Sequence, residues 1–222
     1  MKKILFPLIL FSAHSLAAGM VPETTVLLVD ESKGEASMNV TNTDALPALL
    51  FTRIVELPGS HPNTRLIVTQ PVVRVESGQI QRVRFMLQTS GPLQQQELKR
   101  VTFEGIPPKA KDKNSLSVTV RQDLPVIIQP ASLPVDLEPW KHLQWQKKGN
   151  SLEVSNPSKY VVRLTSAFIT YPSGKEGALP NTYILPGDRI TVKSPNNKDD
   201  QIKIFPASRY GFKGAGYTTA LK

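Results

Sequence analysis

The chain has 222 residues, 40% hydrophobic and 20% charged, with a formal net charge of +9. That is ordinary globular composition, enough for one large or two ordinary domains, and it excludes a long disordered chain. There is no cysteine, which excludes a disulfide scaffold, a thiol nucleophile and a thiolate metal site.

Met1-Lys2-Lys3 is a short basic segment, Ile4 to Ala13 is apolar, and Ser15-Leu16-Ala17-Ala18 supplies small residues. This order is that of a cleavable secretory signal over residues 1–18, too short to span a bilayer. No later run is long and apolar enough for a transmembrane helix, so an exported protein with no integral membrane segment is expected.

Strand signals separated by turn residues follow. They are Thr24 to Val29, Ala36 to Asn42, Leu49 to Val55, Leu66 to Val75, Gln79 to Leu87, Leu98 to Ile106 and Leu116 to Ile128. Pro71 makes the fourth a broken or edge strand. Seven strands in about 110 residues predict one immunoglobulin-like sandwich. Pro130, Pro134 and Pro139 then read as a linker. Shorter strands are predicted at Leu152 to Val154, Tyr160 to Thr170, Thr182 to Leu185, Arg189 to Val192 and Gln201 to Phe205. The expected fold is all-β: a signal (1–18), an N-terminal sandwich (19–130) and a smaller C-terminal sandwich (131–222).

Enzymatic motifs are missing. There is no Gly-x-Ser-x-Gly elbow and no phosphate-binding glycine loop. His14, His61 and His142 lack metal-ligand spacing. No catalysis, metal or cofactor is expected. The basic residues Arg82, Arg84, Lys99, Arg100, Lys109, Lys111 and Lys113 are not interleaved with aromatics, which argues against nucleic acid. The loop lysines among them read as a solvated face.

The strand Leu116 to Ile128 carries the functional lead. Leu116, Val118 and Val120 alternate with the small polar Ser117 and Thr119, so the three aliphatic groups share one face. Two readings are open: they face the domain's own core, or they are offered to a partner.

The chain resembles the periplasmic pilus (fimbrial) assembly chaperones of the chaperone–usher pathway. Pro22 to Val29 and Ala36 to Asn42 resemble the family's first two strands. Gln70-Pro71-Val72-Val73-Arg74-Val75, then Gly78-Gln79 and Val83-Arg84-Phe85, is similar to its Pro-Pro-x-x-Arg-Leu…Gly-Gln…Leu-Arg-Ile segment. Arg100 to Pro108 looks like its sixth strand. The resemblance implies two immunoglobulin-like domains at an angle, boomerang-like, and a periplasmic chaperone that completes unfinished pilus subunits by donor-strand complementation. That mode satisfies open strand edges and fills core pockets. It implies Leu116, Val118 and Val120 as donor residues, delivery to an outer-membrane usher, and self-association of the free chaperone to cover its apolar edge.

The chain departs from the familiar members. By resemblance, a subunit's C-terminal carboxylate is held by an Arg in the first strand and a Lys in the last; here these positions are Val26 and Pro125, and the closing Tyr-Arg-Pro is Ile128-Gln129-Pro130. Lys99-Arg100-Val101 to Pro107 is similar to a motif of the divergent archaic or alternative members, which implies Arg100 as the anchor, with Arg74 and Arg84 as weaker candidates. The plain alternative for Arg100 is a pairing with Glu97 or Glu104. A second class of function is a secreted module that binds carbohydrate or forms a surface structure, with Trp140, Trp145 and Tyr160 as its aromatic cluster.

Overall fold

A computed structural model describes residues 19–58, 63–108, 119–208 and 214–222. The described residues form two β-sandwiches in succession, with no α-helix among them.

The first contains β1 (Met20–Pro22), β2 (Leu27–Asp30), β3 (Glu35–Asn42), β4 (Ala48–Val55), β5 (Thr64–Val68), β6 (Val72–Val75), β7 (Ile80–Thr89), β8 (Glu97–Ile106) and β9 (Arg121–Gln129). Strand order is β5-β7-β3-β2-β9-β8-β4-β6, with β1 on β3. β2 is the corner where the two layers meet. It touches β3 at one pair, Asp30 with Glu35, and runs parallel to β9 from Leu27 with Val126 to Asp30 with Gln129. Alternate side chains from both layers fill the core, including Val29, Met38, Leu50, Phe85, Val101, Phe103, Val126 and Ile128.

Two predicted strands change. The expected strand Thr24 to Val29 forms only from Leu27, as β2, because Thr24 Oγ1 donates to the Val26 carbonyl at 2.8 Å and turns the chain between β1, which lies ahead of the expected range, and β2. Leu66 to Val75 becomes β5 and β6, which lie at opposite ends of the strand order. Pro71, lacking an N–H, sits in the crossing, where its carbonyl accepts from Thr52 N at 2.8 Å.

The second sandwich contains β10 (Gln144–Lys148), β11 (Ser151–Ser155), β12 (Val162–Tyr171), β13 (Lys175–Ala178), β14 (Tyr183–Ile184), β15 (Arg189–Lys193), β16 (Gln201–Pro206) and β17 (Tyr217–Ala220). One sheet runs β10-β11-β15; the other runs β13-β12-β16-β17, with β14 on β12. Trp145, Leu152, Phe168, Ile184, Ile202 and Ile204 are fully or almost fully buried between them. β10, β13 and β17 escape the sequence reading. They are short, and Gln144-Trp145-Gln146-Lys147-Lys148 has one buried position in five.

Both sandwiches use the same corner device. Buried Asn42 at the end of β3 donates to the carbonyls of Leu46 and Val75, each at 3.0 Å. Buried Asn156, after β11, donates to the carbonyls of Tyr160 (2.8 Å) and Ile184 (3.2 Å). Each side-chain oxygen accepts from the backbone two residues on, an Asx turn.

The sandwiches meet through a small apolar cluster: Val26, Leu98 and Ile127 of the first against Val161 of the second, with Leu28, Leu57, Tyr183 and Leu185 around it. Gln96 crosses the junction. Its amide donates to Gln129 Oε1 at 2.7 Å, its Oε1 accepts from Val161 N at 2.8 Å, and its backbone N donates to the Lys159 carbonyl at 2.9 Å.

Candidate functional site at β9 and the domain junction

β9 is paired on one edge along its whole length, from Arg121 with Glu104 to Ile128 with Glu97 on β8. Its other edge pairs with β2 only from Val126 onward. Among the described residues no strand pairs with that edge from Arg121 to Pro125. An unpaired strand edge is a template for another chain. Leu124, Val126 and Ile128 point into the first core. Val120 has the same parity but lies past the end of that core and is 42% exposed. Leu116 and Val118 lie outside the described residues, as do Lys109, Lys111 and Lys113 of the preceding loop.

On β8 the parity separates two chemistries. Lys99, Val101 and Phe103 face the core; Leu98, Arg100, Thr102 and Glu104 face outward. Lys99 therefore does not belong to the solvated basic face. Its side chain is completely buried, with Nζ 2.5 Å from Glu56 Oε2 and 3.9 Å from Glu97 Oε2. Removing one partner of such a pair leaves a buried charge uncompensated.

Arg100 emerges beside Leu98 at the junction. It pairs with neither Glu97 nor Glu104. Its Nε donates to Asp123 Oδ1 at 2.7 Å and its Nη2 to the Asp123 carbonyl at 2.9 Å. Glu104 is taken by Arg121 at 2.7 Å. A guanidinium has five N–H donors, so two bonds to Asp123 leave Arg100 able to hold a further acceptor.

Val26 and Pro125 occupy the level just before the Leu27–Val126 pair, and Arg100 is the direct partner of Pro125 on β8. Arg74 and Arg84 lie elsewhere. Arg74, on β6, pairs with Glu76 at 2.8 Å; Arg84, on β7, pairs with Glu35 at 2.5 Å.

Sequence reasoning missed Arg163. It stands on β12 opposite Tyr183, two residues beyond the junction residue Val161. Burial, and after it the positive charge of Arg100, pull its guanidinium below the ordinary arginine range. The signal was available only as alternation along Val161-Val162-Arg163, without anything to show that its outer face meets another domain.

The aromatic cluster of the carbohydrate alternative is largely committed to internal contacts. Trp145 is in the second core, 6.0 Å from Phe168 between ring centres, and Trp140 packs on the same core. Tyr160 stacks on His142 and donates its hydroxyl to the Pro134 carbonyl at 2.9 Å. No group of three or more His, Asp or Glu able to hold a metal occurs among the described residues.

Comparison with known proteins identifies this architecture. Residues 19–134 match the family model "Pili and flagellar-assembly chaperone, PapD N-terminal domain", and residues 138–213 match "Pili assembly chaperone PapD, C-terminal domain". The chain belongs to the pilus-assembly chaperones. It is 58% identical over 211 residues to the uncharacterized fimbrial chaperone YhcA of Escherichia coli strain K12, covering 95% of this chain and 94% of that one. It is 27% identical to the chaperone protein LpfB of Salmonella typhimurium, covering 93% and 91%. Among solved structures it superposes with a TM-score of 0.76 on a chain of the Salmonella enterica SafA pilin complex with the SafB chaperone, at 19% identity over 93% of this chain and 98% of that one. The Pseudomonas aeruginosa CupB2 chaperone gives 0.73, at 20% identity over 91% and 100%. The protein is a pilus-assembly chaperone of two β-sandwich domains.

Proposed function

We propose that this chaperone works in the periplasm after loss of the 1–18 signal. It lends the strand leading into β9 to an incomplete pilus subunit, with Leu116, Val118 and Val120 as donor side chains. Arg100 holds a carboxylate of the subunit at the junction, and an outer-membrane usher receives the loaded chaperone. The observation that carries the reading is β9 itself, half of one edge without a strand partner among the described residues, with the aliphatic Val120 left exposed just ahead of it. Pilus subunits are the expected cargo because the family is defined by pilus assembly, and a solved neighbour is a complex with a pilin. No nucleotide is required in this scheme: binding is driven by backbone pairing and burial of apolar side chains, roughly 1.5–3 kcal/mol gross for each.

The test is co-expression with candidate pilus subunits, followed by purification through a tag on the chaperone. A stoichiometric subunit complex, lost on Val118→Asp, is expected. Unchanged capture by Val118→Asp removes the donor strand from the reading.

A further inference from the structure

We propose that the crossing from β1 to β2, clasped by Glu23 on Asn39, holds the N-terminal chain away from β9 and so sets how much of that strand's edge a partner strand can pair with. This rests on the chaperone reading and deepens its strand-lending site. Glu23 is a positioning residue: it touches no cargo and acts through the backbone it holds.

β2 runs parallel to β9 only from the Leu27–Val126 level onward. A chain that stayed extended upstream of Leu27 would bring Val26, Thr25 and Thr24 alongside Pro125, Leu124 and Asp123. It would cover the edge that, among the described residues, has no strand partner from Arg121 to Pro125. Instead β1 lies on β3, with Val21 opposite Thr41 and Pro22 opposite Val40. Glu23 continues that pairing, its N donating to the Asn39 carbonyl at 2.9 Å. Its carboxylate closes on the same residue: Oε1 accepts from Asn39 N and Oε2 from Asn39 Nδ2, each at 3.0 Å. Hydrogen bonds to a carboxylate are stronger than those between neutral groups.

The crossing also takes pairing groups out of use. The Val26 carbonyl accepts from Thr24 Oγ1 at 2.8 Å and is engaged within its own turn. At the same level of β9, Pro125 has no N–H to offer. Further upstream, the Gly19 carbonyl accepts from Thr43 N and Thr43 Oγ1, each at 2.9 Å, and Met20 is buried in the first core. An open strand edge pairs with whatever extended chain is nearest. Here the nearest is the protein's own segment Glu23 to Val26, tethered beside the edge at an effective concentration far above that of any free partner. Keeping it off β9 therefore needs a device, and Glu23 supplies one. Glu23 and Thr24 are exposed, so they hold backbone rather than fill core.

The experiment uses the full mature chaperone. Hydrogen exchange of the free protein is followed at those amides of Arg121 to Leu124 that face the open edge, beside subunit capture in the co-expression assay. In Glu23→Ala, and more so in Glu23→Ala combined with Thr24→Val, these amides should exchange about tenfold more slowly than in wild type, the effect of about one added backbone hydrogen bond, and capture should fall. Glu23→Gln keeps an acceptor for Asn39 N and should lie between. A merely structural loss has the opposite sign, because a loosened sandwich opens more often and exchanges faster. Unchanged or faster exchange in both variants overturns the inference, whatever happens to capture. Slower exchange with undiminished capture overturns its functional half, since the partner strand then does not use this edge. Exchange is read on the free protein, so it judges the crossing separately from the chaperone reading, which fails if the wild type captures no subunit.

Discussion

Arg100 faces Pro125 across the β8–β9 register, one strand over from Val26. The two positions where the family resemblance implies an Arg–Lys pair thus hold apolar side chains, and Val26 packs against the second domain instead. The neighbouring strand supplies a guanidinium at the same level. Replacing Arg100 tests what that guanidinium does. Its bond to Asp123 is an exposed ion pair, worth about 0.2–1 kcal/mol. Arg100→Ala should therefore leave the denaturation midpoint of the free protein nearly unchanged. Subunit co-purification should fall about tenfold or more. Undiminished yield in the periplasmic pull-down would remove Arg100 from the binding site.

Val120 and Val126 share a parity along the strand but differ in burial. Val126 is fully buried in the chaperone's own sandwich, whereas Val120 is open. Val126→Asp should unfold or severely destabilise the free protein, because an unpaired buried charge costs several kcal/mol. Val120→Asp should leave urea unfolding within about 0.5 kcal/mol of wild type and abolish subunit capture. Equal destabilisation by the two variants would place both side chains in the same core.

Gln96 joins the sandwiches through a neutral amide rather than an ion pair. Gln96→Ala strands the Val161 N–H and the Gln129 oxygen in a buried junction. A loss of about 1–3 kcal/mol is expected by chemical denaturation, together with faster proteolytic cutting in the segment from Pro130 to Glu138. Wild-type stability and wild-type protease resistance would show that the apolar cluster alone holds the junction.

Asp199 gives the second sandwich an acid dependence. Burial alone pushes its carboxyl up, but hydrogen bonds from the Ser173 and Thr170 side chains, the Ser173 backbone and Asn196 together hold it below the ordinary range. A carboxylate lowered on folding stabilises the native state above its unfolded pKa, near 3.9 for aspartate, and that contribution is lost as pH falls through the lower folded value. Melting temperature followed from pH 7 to pH 2 should fall with acid, and less steeply in Asp199→Asn. Parallel curves for the two proteins would assign the acid response to other groups.

The sequence by itself determined the all-β class and the position of most strands of the first sandwich, because alternation of apolar and polar residues is a local property that a pleated strand converts directly into faces. Ala36 to Asn42, Leu49 to Val55 and Leu98 to Ile106 appear as β3, β4 and β8 within a residue or two. It also nominated Arg100 through a motif resemblance. Only the tertiary structure decided which face of each strand meets water, which meets its own core and which meets the other domain. Lys99 and Arg100 are neighbours in sequence, yet one is buried against Glu56 and the other reaches outward to Asp123. Arg163 gains its meaning only where the two sandwiches pack, since burial and the field of a distant charge depend on residues far apart along the chain.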